Sequence, residues 1–167
     1  KLTKELEEIL KYDFKNKSLL NQALTHKSFD NNNNNEKLEF LGDRVLGLII
    51  SKKLIDKYPN EKEGIIDKKY ANLVNKKRCA EIANTINLKK FMFLGSNYKK
   101  DAQKNEKISG DCLEALIGAI FEDSSLKNAE KFILNYWDSS LKHSDITIVD
   151  SKTKLQEYSL KKYKKLP

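Results

Sequence analysis

Residues 35–47 read NEKLEFLGDRVLG, and the spacing of the acids in this stretch predicts its structure. At about 100° per residue, Glu36, Glu39 and Asp43 fall within an arc of roughly 60° on one face of a helix. The apolar side chains gather on nearly the opposite face, at Leu38, Leu41, Val45, Leu48 and Ile49. The stretch therefore predicts an amphipathic helix that buries one side and presents carboxylates on the other.

A second stretch, GDCLEALIGAIFED at residues 110–123, repeats this design. Asp111 and Glu114 are three residues apart and share a helical face, while leucine and isoleucine make the other face. Small residues border both acidic stripes, with Gly47 beside the first and Ala115 and Gly118 beside the second. Because small residues let two backbones approach closely, we expect the carboxylates of the two helices to converge.

Converging carboxylates raise one another's pKa or require cations. Glu39 and Asp43 are like charges four residues apart, and Lys107, four residues before Asp111, is the one obvious basic partner along either helix. Oxygen-rich sites suit Mg²⁺, with Mn²⁺ as a substitute. A single acid on a helix is usually just a solvated side chain, but two matching stripes favour a metal site.

The composition fits a polyanionic partner and a single folded core. The chain has 167 residues, 39% of them hydrophobic, which is enough for one core. Lys and Arg total 32 against 24 acids, a formal net charge of +8. Basic charge alone is weak evidence for nucleic-acid binding, because nearly all of it is lysine in a chain that is also rich in asparagine and isoleucine.

The sequence predicts a cytoplasmic protein that has no contact with a membrane. No run of about 18 apolar residues is present, and the first residues, KLTKELEEIL, have the pattern of an amphipathic helix and not of a signal peptide. Cys79 and Cys112 lack the spacing of a zinc or redox motif, so we expect small buried side chains without a disulfide. Of the two histidines, His26 is expected to have a structural hydrogen-bonding role, and His143 to be solvated near a helix end.

The two acidic stretches closely resemble the signature motifs of the bacterial ribonuclease III family. NEKLEFLGDRVL resembles the first motif and GDCLEALIGAIFED the second. The resemblance continues in LLNQALTHKSF at residues 19–29, EG at 63–64, LVNKKRCAEIA at 73–83 and DSKTKLQEYSLKKYKKLP at 150–167. It therefore covers nearly the whole chain in the family's order.

The resemblance implies an all-α helical bundle that forms a homodimer and cleaves double-stranded RNA. The expected reaction is hydrolysis by a metal-activated water, which leaves 5′-phosphate and 3′-hydroxyl ends and serves rRNA and mRNA processing. Matched position by position, the metal ligands would be Glu39, Asp43, Asp111 and Glu114, with Asp43 and Glu114 as the catalytic pair. Glu36 and Glu63 match accessory acidic positions, and Phe40 matches an aromatic that inserts into the partner subunit.

One segment departs from the family pattern. In LGSNYKKDAQKNEKISGD, residues 94–111, the usual Gly-Glu pair and Ser-Gly-Gly stretch are absent. The departure leaves the four metal positions intact and is confined to the loop and the start of the helix that carries Asp111. Ser109 is expected to cap the helix that carries Asp111.

We predict helices near residues 2–12, 16–25, 34–58, 63–86, 106–123 and 126–141. Asn33 is the expected N-cap ahead of Glu36. The nuclease domain would span residues 1–142 and a linker residues 143–152. Residues 153–167 resemble the first helix of a double-stranded RNA-binding domain that is cut short, and without the resemblance they would read as a basic amphipathic helix of no special purpose.

The sequence disfavours two other functions. A catalytically inactive RNA-binding or partner-binding member of the same fold would be expected to lose at least one of the four metal positions, and all four are present. A helical di-iron protein is disfavoured because neither acidic stretch contains Glu-x-x-His.

Overall fold

The structure, a computed structural model, describes residues 2–96, 98, 106–145 and 151–164. Its helices are α1 (Leu2–Leu10), α2 (Lys17–Leu24), α3 (Glu36–Lys57), α4 (Glu63–Val74), α5 (Lys76–Thr85), α6 (Glu106–Asp123), α7 (Leu126–Lys142) and α8 (Ser151–Tyr163), with a 3₁₀ turn at Leu88–Phe91 after α5. Within the described ranges there is no strand, only an isolated bridge between Thr25 and Phe93. The predicted all-α class is confirmed.

The central helix of the fold is α6, which contacts α2, α3, α5 and α7. Its residues from Cys112 to Ile120 are all buried, and Leu113, Leu116, Ile117 and Ile120 are fully so. A helix that is apolar nearly all round is stable only inside a core, where each apolar side chain is removed from water. A charged side chain near the middle of α6 must therefore find its partners inside the protein.

The contact between α3 and α6 is very close because each helix places a glycine against the other backbone. A Cβ atom built on Gly42 would lie 1.7 Å from the carbonyl oxygen of Glu114. One built on Gly118 would lie 2.2 Å from the carbonyl oxygen of Leu38. These positions lie well inside van der Waals contact, so only residues without a side chain allow this approach. The predicted role of Gly118 is confirmed.

Two details of the prediction for α3 are wrong. Gly47 does not face α6, because a Cβ atom built there would lie 2.7 Å from the hydroxyl oxygen of Tyr70 on α4. Leu48, expected on the buried face, is 58% exposed. The apolar face of α3 is centred instead on fully buried Leu46 and Ile50.

The single helix predicted over residues 63–86 is also wrong, since α4 and α5 are separate helices that meet at Asn75. The backbone of Asn75 is extended, with φ −70° and ψ 158°. Its side-chain oxygen accepts a hydrogen bond of 2.9 Å from the backbone N–H of Arg78. Asparagine is a favoured N-cap because it satisfies a helix-end donor in this way. The break makes Lys76 the first residue of α5.

Neither Asn33 nor Ser109 is the N-cap that the sequence predicts. The N-cap of α3 is Asn35, and the backbone N–H of Glu36 donates to the side chain of Asn34 at 3.1 Å. Helix α6 has already begun at Glu106, so Ser109 is inside it, where its hydroxyl donates to the carbonyl of Glu106 at 3.0 Å.

The remaining predictions concern the cysteines, membrane-spanning helices and the C-terminal segment. Cys79 and Cys112 are buried, as predicted, and neither thiol is in a disulfide. Among the described residues, none of the helices combines the length and apolar character needed to span a membrane. A helix is present in the tail, as α8, although it begins two residues earlier than expected. Much of the divergent segment 94–111 and the middle of the linker 143–152 lie outside the described residues.

The glycine contact can be tested by a pair of alanine variants. Gly42→Ala should lower the free energy of unfolding in urea by about 1–3 kcal/mol or more, because its methyl group overlaps the α6 backbone. Gly64→Ala is the control, since a Cβ atom on Gly64 would meet nothing within 4 Å. In the helical position of Gly64, alanine should be neutral or stabilise by about 0.5–1 kcal/mol. Equal stabilities for the two variants would contradict the packing described above.

Candidate metal centre

Three carboxylates from two helices meet at one point. Glu39 of α3 and Asp111 and Glu114 of α6 each offer an oxygen, and these oxygens all lie within 4.8 Å of one another. The glycine contact explains the convergence, because Gly42 packs against the backbone of Glu114 itself. With the two helices this close, the side chain of Glu39, one turn before Gly42, reaches the acids of α6.

Glu114 is the buried member of this group, with 1% of its surface exposed. Burial is the main cause that raises the pKa of its carboxyl above the ordinary range, and the charges of Asp43 and Asp111 add to the effect. Its oxygens accept hydrogen bonds from Lys76 Nζ at 2.9 Å and from the Cys79 thiol at 3.7 Å. The buried charge is therefore partnered.

Glu39 shows the same behaviour in a less buried position. Its pKa is raised by burial first and then by the negative charge of Asp111. The side chain of Asp111 is only 15% exposed. Acids that are held together against their mutual repulsion have a high affinity for cations.

A lysine that the sequence analysis missed lies among the three acids. Lys76 Nζ is 2.6 Å from Asp111 Oδ1, 2.9 Å from Glu114 Oε2 and 3.3 Å from Glu39 Oε1. Burial opposes its positive charge, but the hydrogen bonds to Asp111 and Glu114 prevail and raise the pKa of Lys76 above its usual range. Only the N-cap signal of Asn75, which starts a new helix at Lys76, could have pointed to this residue.

Asp43, the fourth predicted ligand, lines the same cleft but does not join the three-acid group. Its Oδ2 atom accepts from Arg44 Nη1 at 2.6 Å, and its side chain is 44% exposed. Its charge nevertheless reaches the group, since it is one of the causes that raise the pKa of Glu114.

Of the two predicted accessory acids, one lines the cleft and the other does not. Glu36 lines the cleft and pairs with Lys27 at 2.8 Å, and this pairing lowers the pKa of Glu36. Glu63, at the start of α4, does not line the cleft. Phe40 is 64% exposed, and the guanidinium carbon of Arg44 lies 4.0 Å from the centre of its ring.

The cleft above the acids has a volume of about 590 Å³, and cationic side chains line its rim. These are Lys27, Arg44 and Lys107. His26 also lines the cleft, where its Nδ1 accepts from the backbone N–H of Ser28 at 3.1 Å. This contact gives His26 the hydrogen-bonding role expected from the sequence. His143 caps the C-terminus of α7 and is exposed, also as expected.

Comparison with known proteins places the fold and the cleft in a family. The model for ribonuclease-III-like domains matches residues 16–140. The chain belongs to the ribonuclease III family. It is 56% identical to Ribonuclease 3 of Pelagibacter ubique over 98% of this chain and 73% of the relative. It is 44% identical to Ribonuclease 3 of Ehrlichia ruminantium over 96% of this chain and 73% of the relative. The predicted family and enzyme class are confirmed.

Solved ribonuclease III structures share the fold. One nuclease domain from Campylobacter jejuni, described for structural flexibility in a region involved in dimer formation, superposes with a TM-score of 0.78. It is 42% identical, and the match covers 81% of this chain and 95% of the other. A second structure of that nuclease domain superposes with a TM-score of 0.76 at 40% identity, over 88% and 97% of the two chains.

The three-acid group has the dimensions and chemistry of a divalent-metal site. Oxygens on opposite sides of a magnesium ion lie about 4.2 Å apart, since each is about 2.1 Å from the metal. The separations within the group, up to 4.8 Å, are near this value, so small side-chain rotations suffice. All the donors are hard carboxylate oxygens, which favour Mg²⁺ or Mn²⁺ over softer metals.

The raised pKa of Glu114 predicts a pH-dependent effect on metal-free stability. The folded state holds the Glu114 proton more tightly than the unfolded state, so this residue's contribution to stability falls as pH rises through its folded pKa. In EDTA, Glu114→Gln should be at least as stable as the parent at pH 8 and should lose that relative advantage as pH is lowered toward 4.5. Urea unfolding at several pH values measures the difference.

Glu122→Gln provides the control for this measurement, since Glu122 is exposed on the same helix. Its difference from the parent should not follow the pH dependence of Glu114→Gln. If the difference in unfolding free energy between Glu114→Gln and the parent stayed constant from pH 4.5 to pH 8, burial would not raise the pKa of Glu114.

Proposed function

We propose that this ribonuclease III family member is a divalent-metal-dependent endonuclease that hydrolyses both strands of double-stranded RNA. The products would carry 5′-phosphate and 3′-hydroxyl ends. The observation that carries the proposal is the convergence of Glu39, Asp111 and Glu114 within 4.8 Å. Roles in rRNA and mRNA processing and a cytoplasmic location stay predictions from the sequence.

In this proposal Glu39, Asp111 and Glu114 hold a Mg²⁺ ion, or Mn²⁺ in its place. When bound, the cation would lower the pKa of a water molecule and stabilise negative charge on the scissile phosphate. The chain's own contribution is geometric, because α3 and α6 fix the three carboxylates before any ligand arrives. Glu114 is held most firmly, since its side chain is enclosed by Lys76 and Cys79.

Asp43 completes the proposed site from the edge of the cleft. Its carboxylate would contribute to the metal site once it turns from Arg44, and two divalent cations would then balance the four negative charges. Asp43 and Glu114 are the proposed catalytic pair, and Glu36 is an accessory acid on the same cleft wall. Glu63 remains a proposed accessory position that no contact in the cleft supports.

The rim of the cleft suits a duplex backbone. Lys27, Arg44 and Lys107 surround the acids and would bind phosphates on either side of the cleavage point. The affinity of such contacts falls as the salt concentration rises. On duplex DNA, the logarithm of the binding constant falls with the logarithm of the salt concentration at a slope of about −0.9 per phosphate neutralised. We assign the nuclease domain to residues 1–142, which the family match ending at residue 140 supports. Helix α8 is the proposed first helix of an RNA-binding domain after the linker.

A cleavage assay tests the proposal. Glu114→Gln should reduce cleavage of a plain RNA duplex in Mg²⁺ by at least about a hundredfold, because loss of a metal ligand removes several kcal/mol of charge stabilisation. Duplex affinity, measured in a gel shift, should stay close to that of the parent. EDTA should abolish cleavage by the parent protein, and excess Mg²⁺ should restore it.

The matched control is again Glu122→Gln, which removes one carboxylate from the same helix outside the cleft. It should cleave at the parental rate. Undiminished cutting by Glu114→Gln, or cutting by the parent in EDTA, would refute the proposed metal-dependent reaction.

We further propose that the chain forms a homodimer through the outer face of α3. Phe40, Leu48 and Ile55 are 64%, 58% and 54% exposed, and on the helical wheel they fall within about 80° of one another. A row of large exposed apolar side chains is typical of a surface that binds another protein. The structural relative from Campylobacter jejuni is itself described as having a region involved in dimer formation.

Sedimentation velocity can test this surface. Phe40→Ala should raise the dimer dissociation constant at least about tenfold, since burial of an aromatic side chain contributes more than 1.4 kcal/mol. Leu126→Ala is the control, because Leu126 is 40% exposed and belongs to α7 and not to α3. If both variants dimerise as the parent does, Phe40 is not part of the interface.

A further inference from the structure

Lys76 occupies the place that a metal ion would take. Its ammonium group is within 3.3 Å of one oxygen from each of the three converging acids. These are the same acids whose oxygens could share a cation. An ammonium and a divalent ion placed among these oxygens would compete for the same lone pairs and the same negative charge.

The backbone of Lys76 is fixed, whereas its side chain has a way out. Asn75 caps the start of α5 through its bond to the N–H of Arg78. The carbonyl of Lys76 packs against α6, where a Cβ atom built on Gly110 would lie 3.2 Å from it. The lysine side chain is nevertheless 50% exposed, so its flexible stem can carry the ammonium out into the cleft without any movement of the helix.

The charge balance also favours an exchange of one cation for another. Three ionised carboxylates and one ammonium leave a formal charge of −2 at the group, so the lysine neutralises the acids only in part. A divalent ion neutralises more of this charge and binds carboxylate oxygens directly. The lysine would then lose its partners in the group and turn toward solvent or toward the substrate.

We propose that Lys76 is an internal counter-ion of the metal-free site, which holds the acids together and must be displaced before a divalent cation binds. Lys76 therefore sets the metal affinity of the enzyme below the value that the carboxylates alone would give. This inference rests on the proposed metal site, and it concerns a residue outside the set of acids that the family resemblance implies.

The deciding experiment is a direct metal titration of Lys76→Met, which keeps an unbranched side chain and removes the charge. Free Mn²⁺ measured by electron paramagnetic resonance gives the dissociation constant without any RNA present. We expect Lys76→Met to bind Mn²⁺ roughly tenfold more tightly than the parent, because the ion pairs to three acids no longer have to be broken.

Lys77→Met is the matched control, since Lys77 is exposed, follows Lys76 in the first turn of α5 and carries the same charge. It should bind Mn²⁺ as the parent does. Thermal unfolding gives a second readout. Without metal, Lys76→Met should unfold at a lower temperature than Lys77→Met. Saturating Mn²⁺ should raise the unfolding temperature of Lys76→Met by more than it raises that of Lys77→Met.

Each outcome separates the inference from the proposed function. If the parent binds Mn²⁺ and Lys76→Met binds it equally or more weakly, Lys76 does not compete with the metal, and this inference fails while the metal site stands. If neither the parent nor Lys77→Met binds Mn²⁺, the proposed metal site fails and the inference fails with it. Tighter binding by both lysine variants would indicate a general charge effect and would also overturn the specific role of Lys76.

Discussion

The backbone contact at Gly42 and Gly118 is the constraint on which the site depends. It removes the layer of side chains that normally separates two packed helices, so that α3 and α6 touch through their main chains. Gly42 meets the carbonyl of Glu114, the same residue that supplies the buried carboxylate. A shift of α6 away from α3 would therefore move a metal ligand directly. The same contact therefore fixes both the packing of the two helices and the position of a carboxylate in the site.

That contact has an electrostatic cost, because it places Glu114 where water cannot solvate it and adds two more acids beside it. A buried charge is tolerated when it is paired and hydrogen-bonded. Lys76 provides the pairing and the Cys79 thiol adds a weak donor. The break between α4 and α5 at Asn75 is part of this arrangement, since it starts α5 with the lysine aimed at the acids.

The sequence predicts those features that depend on local spacing. The acidic faces of α3 and α6 follow from periodicity within one helix, so Glu39, Asp111 and Glu114 could be chosen before the fold was known. The contact of Lys76 with the acids could not be predicted, even with Asn75 recognised as a cap, because its partners are 35 or more positions away in the chain. Its contact depends on how α5 docks on α6, which no pattern within one helix encodes.

The prediction that Gly47 lies at the helix contact was wrong for a related reason. Gly42 and Gly47 both border the acidic stripe in sequence, and the wheel alone cannot say which one meets a backbone and which one meets Tyr70. The cap at Asn75, in contrast, can be predicted from the sequence, since asparagine is a favoured N-cap residue. The apolar positions on both sides of Asn75 nevertheless fit one helical period, so the pattern alone predicts a single helix over residues 63–86.

Arg44 contacts both the exposed aromatic ring of Phe40 and the carboxylate of Asp43 on α3. Its guanidinium lies over the exposed ring of Phe40 at 4.0 Å and also pairs with Asp43 at 2.6 Å. A partner surface that covers Phe40 must either bury Arg44 or push it aside, and both changes alter the charge next to Asp43. Asp43 makes this pairing and is not part of the group formed by Glu39, Asp111 and Glu114. A protein that covers Phe40 would thereby change the charge beside Asp43 through Arg44, without contacting Asp43 itself.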